Sequence, residues 1–316
     1  MKKDIKKLII SIFIVFTILL IIDIIVGKCG DFVMTKLPSK SGQFAKDNYR
    51  LNRLETDIVI IGSSRGSHHY VTTVLGDSIN KYTNGSYSIY NAAIDGKFIN
   101  SNSCATESII KRYTPDMLIF EVGASELKAT GNEYSDIRFS LPHYTSNETV
   151  RSYINELGWK ERIKVMSNIY RYNGKVLRII SSFLIKGNET GYEPLFNKME
   201  VLPNSDVKEK KVDKKVDISP YSVKNFTRVL ETCKNNNINL VVVSSPRFRP
   251  IDNNYFLKEL CKKHNITYID LYDLDLFNEN PDLFQDKAHL NHDGALIYTK
   301  LFFENLKPYL DHLIFE

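Results

Sequence analysis

The chain has 316 residues, of which 43% are hydrophobic, 25% charged and 11% aromatic. Those proportions belong to an ordinary globular chain and exclude wholesale disorder, collagen-like repeats and a polytopic membrane protein. The formal net charge of +5 is concentrated at one end. Lys2, Lys3, Lys6 and Lys7 stand before residue 8 with only Asp4 among them, and the remainder is nearly neutral. It lacks the clustered Lys and Arg of a nucleic-acid footprint, so no nucleic-acid partner is expected.

Residues 8–22 read LIISIFIVFTILLII, with Ser11 and Thr17 as the polar members. Asp23 interrupts, then Ile24, Ile25, Val26 and Gly27 follow, giving roughly the 20 residues a helix needs to cross a bilayer. The run exceeds a signal-peptide core and no A-x-A-like cleavage site follows, so an uncleaved signal anchor is expected over 8–27. The basic cluster places residues 1–7 in the cytoplasm and everything downstream outside the cell membrane. Residues 28–54 read as a linker and 55–316 as the folded domain. Cys29, Cys104, Cys233 and Cys261 lie far apart with no C-x-x-C pair, against a zinc site or a dense disulfide framework. One bridge in an oxidising compartment stays open.

Five short apolar runs predict strands at 57–61, 88–91, 117–122, 240–243 and 267–271. Several are continuous instead of alternating, as expected of strands covered on both faces. Helical patterns at 221–235, 255–263 and 295–306 lie between or after them, so the strand-then-helix order predicts a parallel sheet wrapped by helices. Between the third and fourth strands lies an insertion, 127–219, with helix-like stretches at 150–156, 160–170 and 175–185. It ends in a charged run, NSDVKEKKVDKKVD, that reads as a solvated loop. The insertion suits either a lid or a docking surface.

Ligands of such sheets bind outside the carboxyl ends of the strands. The first strand ends in Gly62-Ser63-Ser64-Arg65, the second in Asn91-Ala92-Ala93-Ile94-Asp95-Gly96, and the third in Gly123-Ala124-Ser125-Glu126. Near the C-terminus stands Asp286-Lys287-Ala288-His289, followed by a helix. A carboxylate three residues before an imidazole can hold one ring nitrogen and leave the other free as a general base. With a serine the set becomes Ser…Asp…His, able to activate a hydroxyl for acyl transfer.

These blocks, in this order, resemble the SGNH, or GDSL, hydrolase superfamily. The resemblance covers about residues 55–306 apart from the insertion, and the first and last blocks are its specific parts. It implies an α/β/α sandwich on a five-stranded, flavodoxin-like parallel sheet. Ser64 stands at the nucleophile position, His289 at the base and Asp286 at the orienting acid. The N–H groups of Ser64 and Gly96, with Ser125, stand where the family binds its oxyanion. The family needs no metal or organic cofactor for this chemistry. Two positions depart from its pattern: Ser63 replaces an aspartate, and Ser125 replaces an asparagine whose amide is a longer donor. The first departure also occurs in membrane-anchored members that modify cell-envelope polymers. The expectation is therefore a membrane-anchored serine esterase or O-acyltransferase acting on acyl groups, acetyl above all, of an envelope or exported polysaccharide. A carbohydrate or acyl-ester substrate and a membrane-bound acyl-donor protein are the partners this implies. The Ser125 departure supports the alternative of an inactive glycan- or partner-binding protein.

Other residues carry plainer expectations. His68 and His69 are read as starting the helix behind the nucleophile, and Arg65 either holds an anionic substrate group or, the favoured reading, pairs with a surface acid. Arg247 and Arg249 edge the cleft, where they either bind a charged sugar or face water. Trp159 is expected to pack, and His292 is a weaker rival to His289.

Overall fold

The computed structural model describes residues 2–38, 42–131, 134–185, 187–200, 217–250 and 252–313. Residues 204–216 of the charged run lie outside the described residues. Five parallel strands form one sheet: β1 (Ile58–Ile61), β2 (Ile89–Asn91), β3 (Met117–Glu121), β4 (Asn239–Ser244) and β5 (Thr267–Asp270), in the order β2-β1-β3-β4-β5. Ile58 sits opposite Ile89 on one side and Met117 on the other, while Glu121 faces Val243 and Ser244 faces Asp270. This is the flavodoxin-like order, whose reversal between β1 and β3 opens a crevice at the strand ends.

The helices in chain order are α1 (Lys2–Lys36), α2 (Gly42–Asn52), α3 (Ser64–His69), α4 (Thr72–Thr83), α5 (Ile99–Ile110), α6 (Glu148–Glu156), α7 (Trp159–Lys164), α8 (Asn168–Tyr172), α9 (Val176–Ser181), α10 (Pro220–Asn235), α11 (Tyr255–Lys263), α12 (Asp275–Asn278) and α13 (His292–Leu306). Successive strand residues point to opposite faces. Val59, Ile61, Leu118, Phe120, Leu240 and Val242 therefore pack under α5, α10 and α11 against Ile109, Phe226, Val229 and Leu257. Ile58, Ile60, Met117, Ile119, Val241 and Val243 pack under α4 and α13 against Leu75, Ile79, Tyr298 and Phe302. The result is the expected three-layer sandwich. It explains the unbroken apolar runs of β1 and β3, all of whose residues are buried.

α1 is long and apolar enough to cross a membrane, and its large side chains over 8–22 are exposed. It does not stop at residue 27. Its last turn joins the body, where Met34 and Leu37 pack with Phe44, Ala45, Tyr172 and Ile179. The stretch 28–54, expected as a linker, is thus helical over most of its length. α2 buries Arg50 completely: its guanidinium bonds Asp47 at 2.9 Å, Asn102 Oδ1 at 3.0 Å and Ser101 Oγ at 3.2 Å. The polar residues that made this segment look solvated are interior because their partners come from α5.

Among its described residues the insertion carries four short α-helices, α6 to α9. The expected 160–170 helix divides into α7 and α8 at Ser167, whose Oγ accepts the N–H of Tyr170. Trp159 does not pack. It opens α7 after Gly158 and is 67% exposed, while Glu161 and Val165 supply the buried contacts of this turn. All four cysteines are free, with Cys29 exposed on α1 and the others buried.

Candidate active site

Ser64 is the first residue of α3, so its N–H has no intrahelical acceptor and its hydroxyl stands at the end of β1. His289 arrives from a tight loop in which Phe284 and Leu290 pair as an isolated bridge and Gln285 N–H donates to His289 O over 2.8 Å. Within that loop Asp286 folds back on its own backbone, with Oδ1 accepting the N–H groups of Ala288 (2.8 Å) and His289 (3.0 Å). Both Asp286 oxygens lie 2.9 Å from His289 Nδ1, and His289 Nε2 lies 2.7 Å from Ser64 Oγ. Burial raises the Asp286 pKa, but the His289 bond and the two N–H groups outweigh it and hold the carboxyl below its usual range. Asp286 is thus an ionised acceptor at neutral pH.

Next to Ser64, the turn Ile94-Asp95-Gly96-Lys97 is closed by Lys97 N–H to Ile94 O over 3.1 Å, and Ile94 N–H reaches Gly62 O at 3.1 Å. Gly96 takes φ +69°, the left-handed geometry this turn needs at its third position. Ser125 is exposed on the turn Ala124–Leu127 that follows β3. It lines a cavity of about 350 Å³ with Phe98, Asn100, Glu126, Asp136 and Ser222 among others. The Ser63 hydroxyl donates to Glu126 Oε1 at 3.2 Å, linking the Ser63-Ser64 turn to this cavity. Burial raises the pKa of Glu126 to about 8, leaving it a neutral acid near pH 7.

His68 and His69 close α3 instead of starting a helix, because the helix begins at Ser64 itself. His68 binds Asp95 Oδ2 through Nε2 (3.1 Å) and Glu193 O through Nδ1 (2.6 Å), and its ring meets that of His289 edge-on. Arg65 finds a buried acid, not a surface one: Glu121 lies 3.5 Å from its Nη2, and Nη1 donates to Ser245 O. Arg247 is half-buried, and Arg249 is exposed with φ +44°. His292 accepts or donates at Tyr192 OH over 3.0 Å, engaged away from the Ser64 bond.

Two features escaped the sequence reading. One is a polar core behind α3: Glu121 Oε2 accepts the Tyr70 hydroxyl at 2.5 Å, and Oε1 accepts the Ser245 hydroxyl at 2.9 Å. A glutamate closing an otherwise apolar strand, MLIFE, was the available signal. The other is an extended strap at the end of the insertion. Asn91 N–H donates to Thr190 O, Glu193 N–H to Ser67 O, His292 N–H to Leu195 O and Met199 N–H to Phe284 O. The strap therefore ties β2, α3 and the His289 loop together, and it covers the edge of β2.

No family model and no curated protein matches the sequence. Among solved structures, the chain is similar to a psychrotrophic esterase from Pseudoalteromonas sp., at 11% identity over 81% of this chain and 99% of that one, with a TM-score of 0.42. It is also similar to a GDSL-like lipase from Bacteroides thetaiotaomicron, at 11% identity over 78% and 87%, with a TM-score of 0.35. A lipase/acylhydrolase from Enterococcus faecalis stands at 14% identity over 79% and 95%, with a TM-score of 0.35. Likenesses of this size assign neither activity nor substrate to the chain.

Proposed function

We propose that the protein is a membrane-anchored serine enzyme that cleaves or transfers ester-linked acyl groups. One observation carries this reading: the Ser64 hydroxyl is within 2.7 Å of an imidazole nitrogen whose partner nitrogen is held by an ionised carboxylate. Ser64 Oγ attacks the acyl carbon while His289 Nε2 takes its proton, and Asp286 holds the ring and its charge. The oxyanion forms against the N–H groups of Ser64 and Gly96 and the Ser125 hydroxyl. The ester C–O bond then breaks, and the leaving alcohol takes the proton from His289. Water or a second alcohol, deprotonated by His289, attacks the acyl-enzyme and frees Ser64.

The anchor reading is supported by the contacts of α1. Within 8–27, Asp23 accepts hydrogen bonds from Ser167, Asn168 and Ile169, and Val26 packs with Met34 and Tyr172, so cleaving the segment as a signal would strip the insertion of these contacts. The basic N-terminus then sets the site on the extracytoplasmic side. Such an enzyme would meet envelope or exported polysaccharide, and an acetyl ester on a sugar hydroxyl is the substrate we assign to it.

The decisive test is turnover of an activated acetyl ester together with labelling by a serine-directed fluorophosphonate. Ser64→Ala and His289→Ala are each expected to lose roughly a thousandfold or more in rate, and Ser64→Ala to lose the label. Undiminished turnover in either variant overturns the assignment. Glycan mass spectrometry with and without the protein then reads the acyl group, by an acetyl mass gained or lost.

A further inference from the structure

We propose that the turn joining α7 to α8 is a membrane-contacting wedge, seated in the interfacial layer of the same bilayer that α1 spans. The proposal rests on reading α1 as an anchor.

The uninterrupted apolar run of α1 is the fifteen residues 8–22. At about 1.5 Å per residue it covers about 22 Å, short of the roughly 30 Å hydrocarbon core. A spanning helix must therefore carry the stretch 23–27 into the bilayer, and that stretch begins with Asp23. The insertion meets α1 at this level. Asp23 accepts four hydrogen bonds, from Ser167 Oγ (2.7 Å), Asn168 N (2.9 Å), Asn168 Nδ2 (2.8 Å) and Ile169 N (2.9 Å). A carboxylate that would be costly against lipid is satisfied by the protein.

The two helices lie against each other closely. A Cβ at Gly27 would overlap the Asn168 side chain, and one at Gly30 would overlap the Tyr172 ring. The start of α8 is thus fixed beside residues 23–27, at the depth that the anchor must bury. Its neighbours are apolar and uncovered: Ile163 is 59%, Met166 80% and Ile169 42% exposed, at a spacing of three residues. Lys160, Arg162 and Lys164 are exposed on α7. The one acid of that helix, Glu161, is buried and bound by Arg138, with Lys164 3.7 Å away, so Lys160 and Arg162 are left as the cations of α7 that it does not pair. Apolar side chains beside exposed cations suit acyl chains beneath anionic headgroups. Ile169, the last of the three, is tied directly to α1, since its N–H donates to Asp23. A bilayer is the one occupant that covers both the patch and α1.

The test places tryptophan reporters in the full-length chain after Trp159→Phe, reconstituted in phosphatidylcholine–phosphatidylglycerol vesicles with brominated acyl chains. Three variants are compared: Phe16→Trp within α1, Met166→Trp on the turn, and Tyr255→Trp on α11 at the other edge of the sheet. Phe16→Trp, within the hydrocarbon core, and Met166→Trp, buried about 5–10 Å at the interface, are each expected to lose roughly half their emission relative to unbrominated vesicles. Tyr255→Trp is expected to lose none. Quenching of Phe16→Trp without Met166→Trp overturns the wedge and leaves the anchor standing. Quenching of neither overturns the anchor and the wedge with it. Equal quenching of Tyr255→Trp also overturns the wedge, since the contact would then be general.

Discussion

The backbone N–H of Leu290 donates to Nε2 of His69 over 3.0 Å, across 221 residues of chain. That bond requires Nε2 to be unprotonated, so the ring proton sits on Nδ1, which faces Ser245 Oγ at 2.8 Å. The Ser245 hydroxyl in turn donates to Glu121. Burial, then the positive charge of Arg65, holds the His69 pKa well below the ordinary histidine value, so this direction of donors persists at neutral pH. Leu290 follows His289 in the chain. A buried histidine of α3 thereby fixes where the proposed base stands.

His69→Ala should therefore lower kcat for ester cleavage by about tenfold or more with KM little changed, because loss of positioning acts on the reacting geometry. His69→Gln can accept from Leu290 and donate to Ser245, and should recover most of the loss. Steady-state kinetics on an acetyl ester measure both. Equal loss in the two variants would point to a purely structural role.

Gly66 bears on the same geometry. A Cβ there would stand 2.7 Å from Ala93 Cβ, at the end of β2. Gly66→Ala should push α3 away from the sheet and shift Ser64, costing up to about a hundredfold in kcat for a displacement near 1 Å. Slowed fluorophosphonate labelling, at an unchanged far-UV spectrum, checks it.

Asp286 holds both the ring and the loop, since one of its oxygens also accepts two backbone N–H groups. Asparagine has one acceptor oxygen for these three donors. Asp286→Asn is expected to lower kcat by about 10²–10⁴ near pH 7. The loss should persist above neutrality, because the balance between the two tautomers of a neutral imidazole does not change with pH. A pH–rate profile of the variant against wild type decides it.

His143 predicts a pH dependence of stability. Burial lowers its pKa from 6.5 to about 4, and its Nε2 is buried without a partner. The unfolded chain binds the proton that the folded chain refuses. The stability contribution is therefore complete above pH 6.5 and falls as pH drops towards 4, by about 1.4 kcal/mol per pH unit. Urea midpoints at pH 7, 6 and 5 should fall less steeply for His143→Gln than for wild type. Parallel slopes would show that His143 titrates normally.

Strand positions were legible because a parallel strand covered on both faces is apolar over most of its length, as residues 58–61 of β1 and 117–120 of β3 show. Ser64, Asp286 and His289 were legible as a candidate set because the residue types at strand ends carry their chemistry locally, and two of them lie three residues apart. The α2 segment was not. Its interior is polar, and Arg50 or Asp47 looks solvated until partners from α5 and Ser140 are in place.

The sequence by itself determined the apolar N-terminal helix, the five strands and the residues at their ends, since each follows from local hydrophobic pattern. The tertiary structure alone decided that His69 meets Leu290, that the strap binds the histidine loop, and that Asp23 is received by α8. Each of these is a bond between polar groups far apart in the chain. Pattern along a sequence records which groups seek burial, whereas only folding brings together the donor and acceptor that make burial of a polar group tolerable.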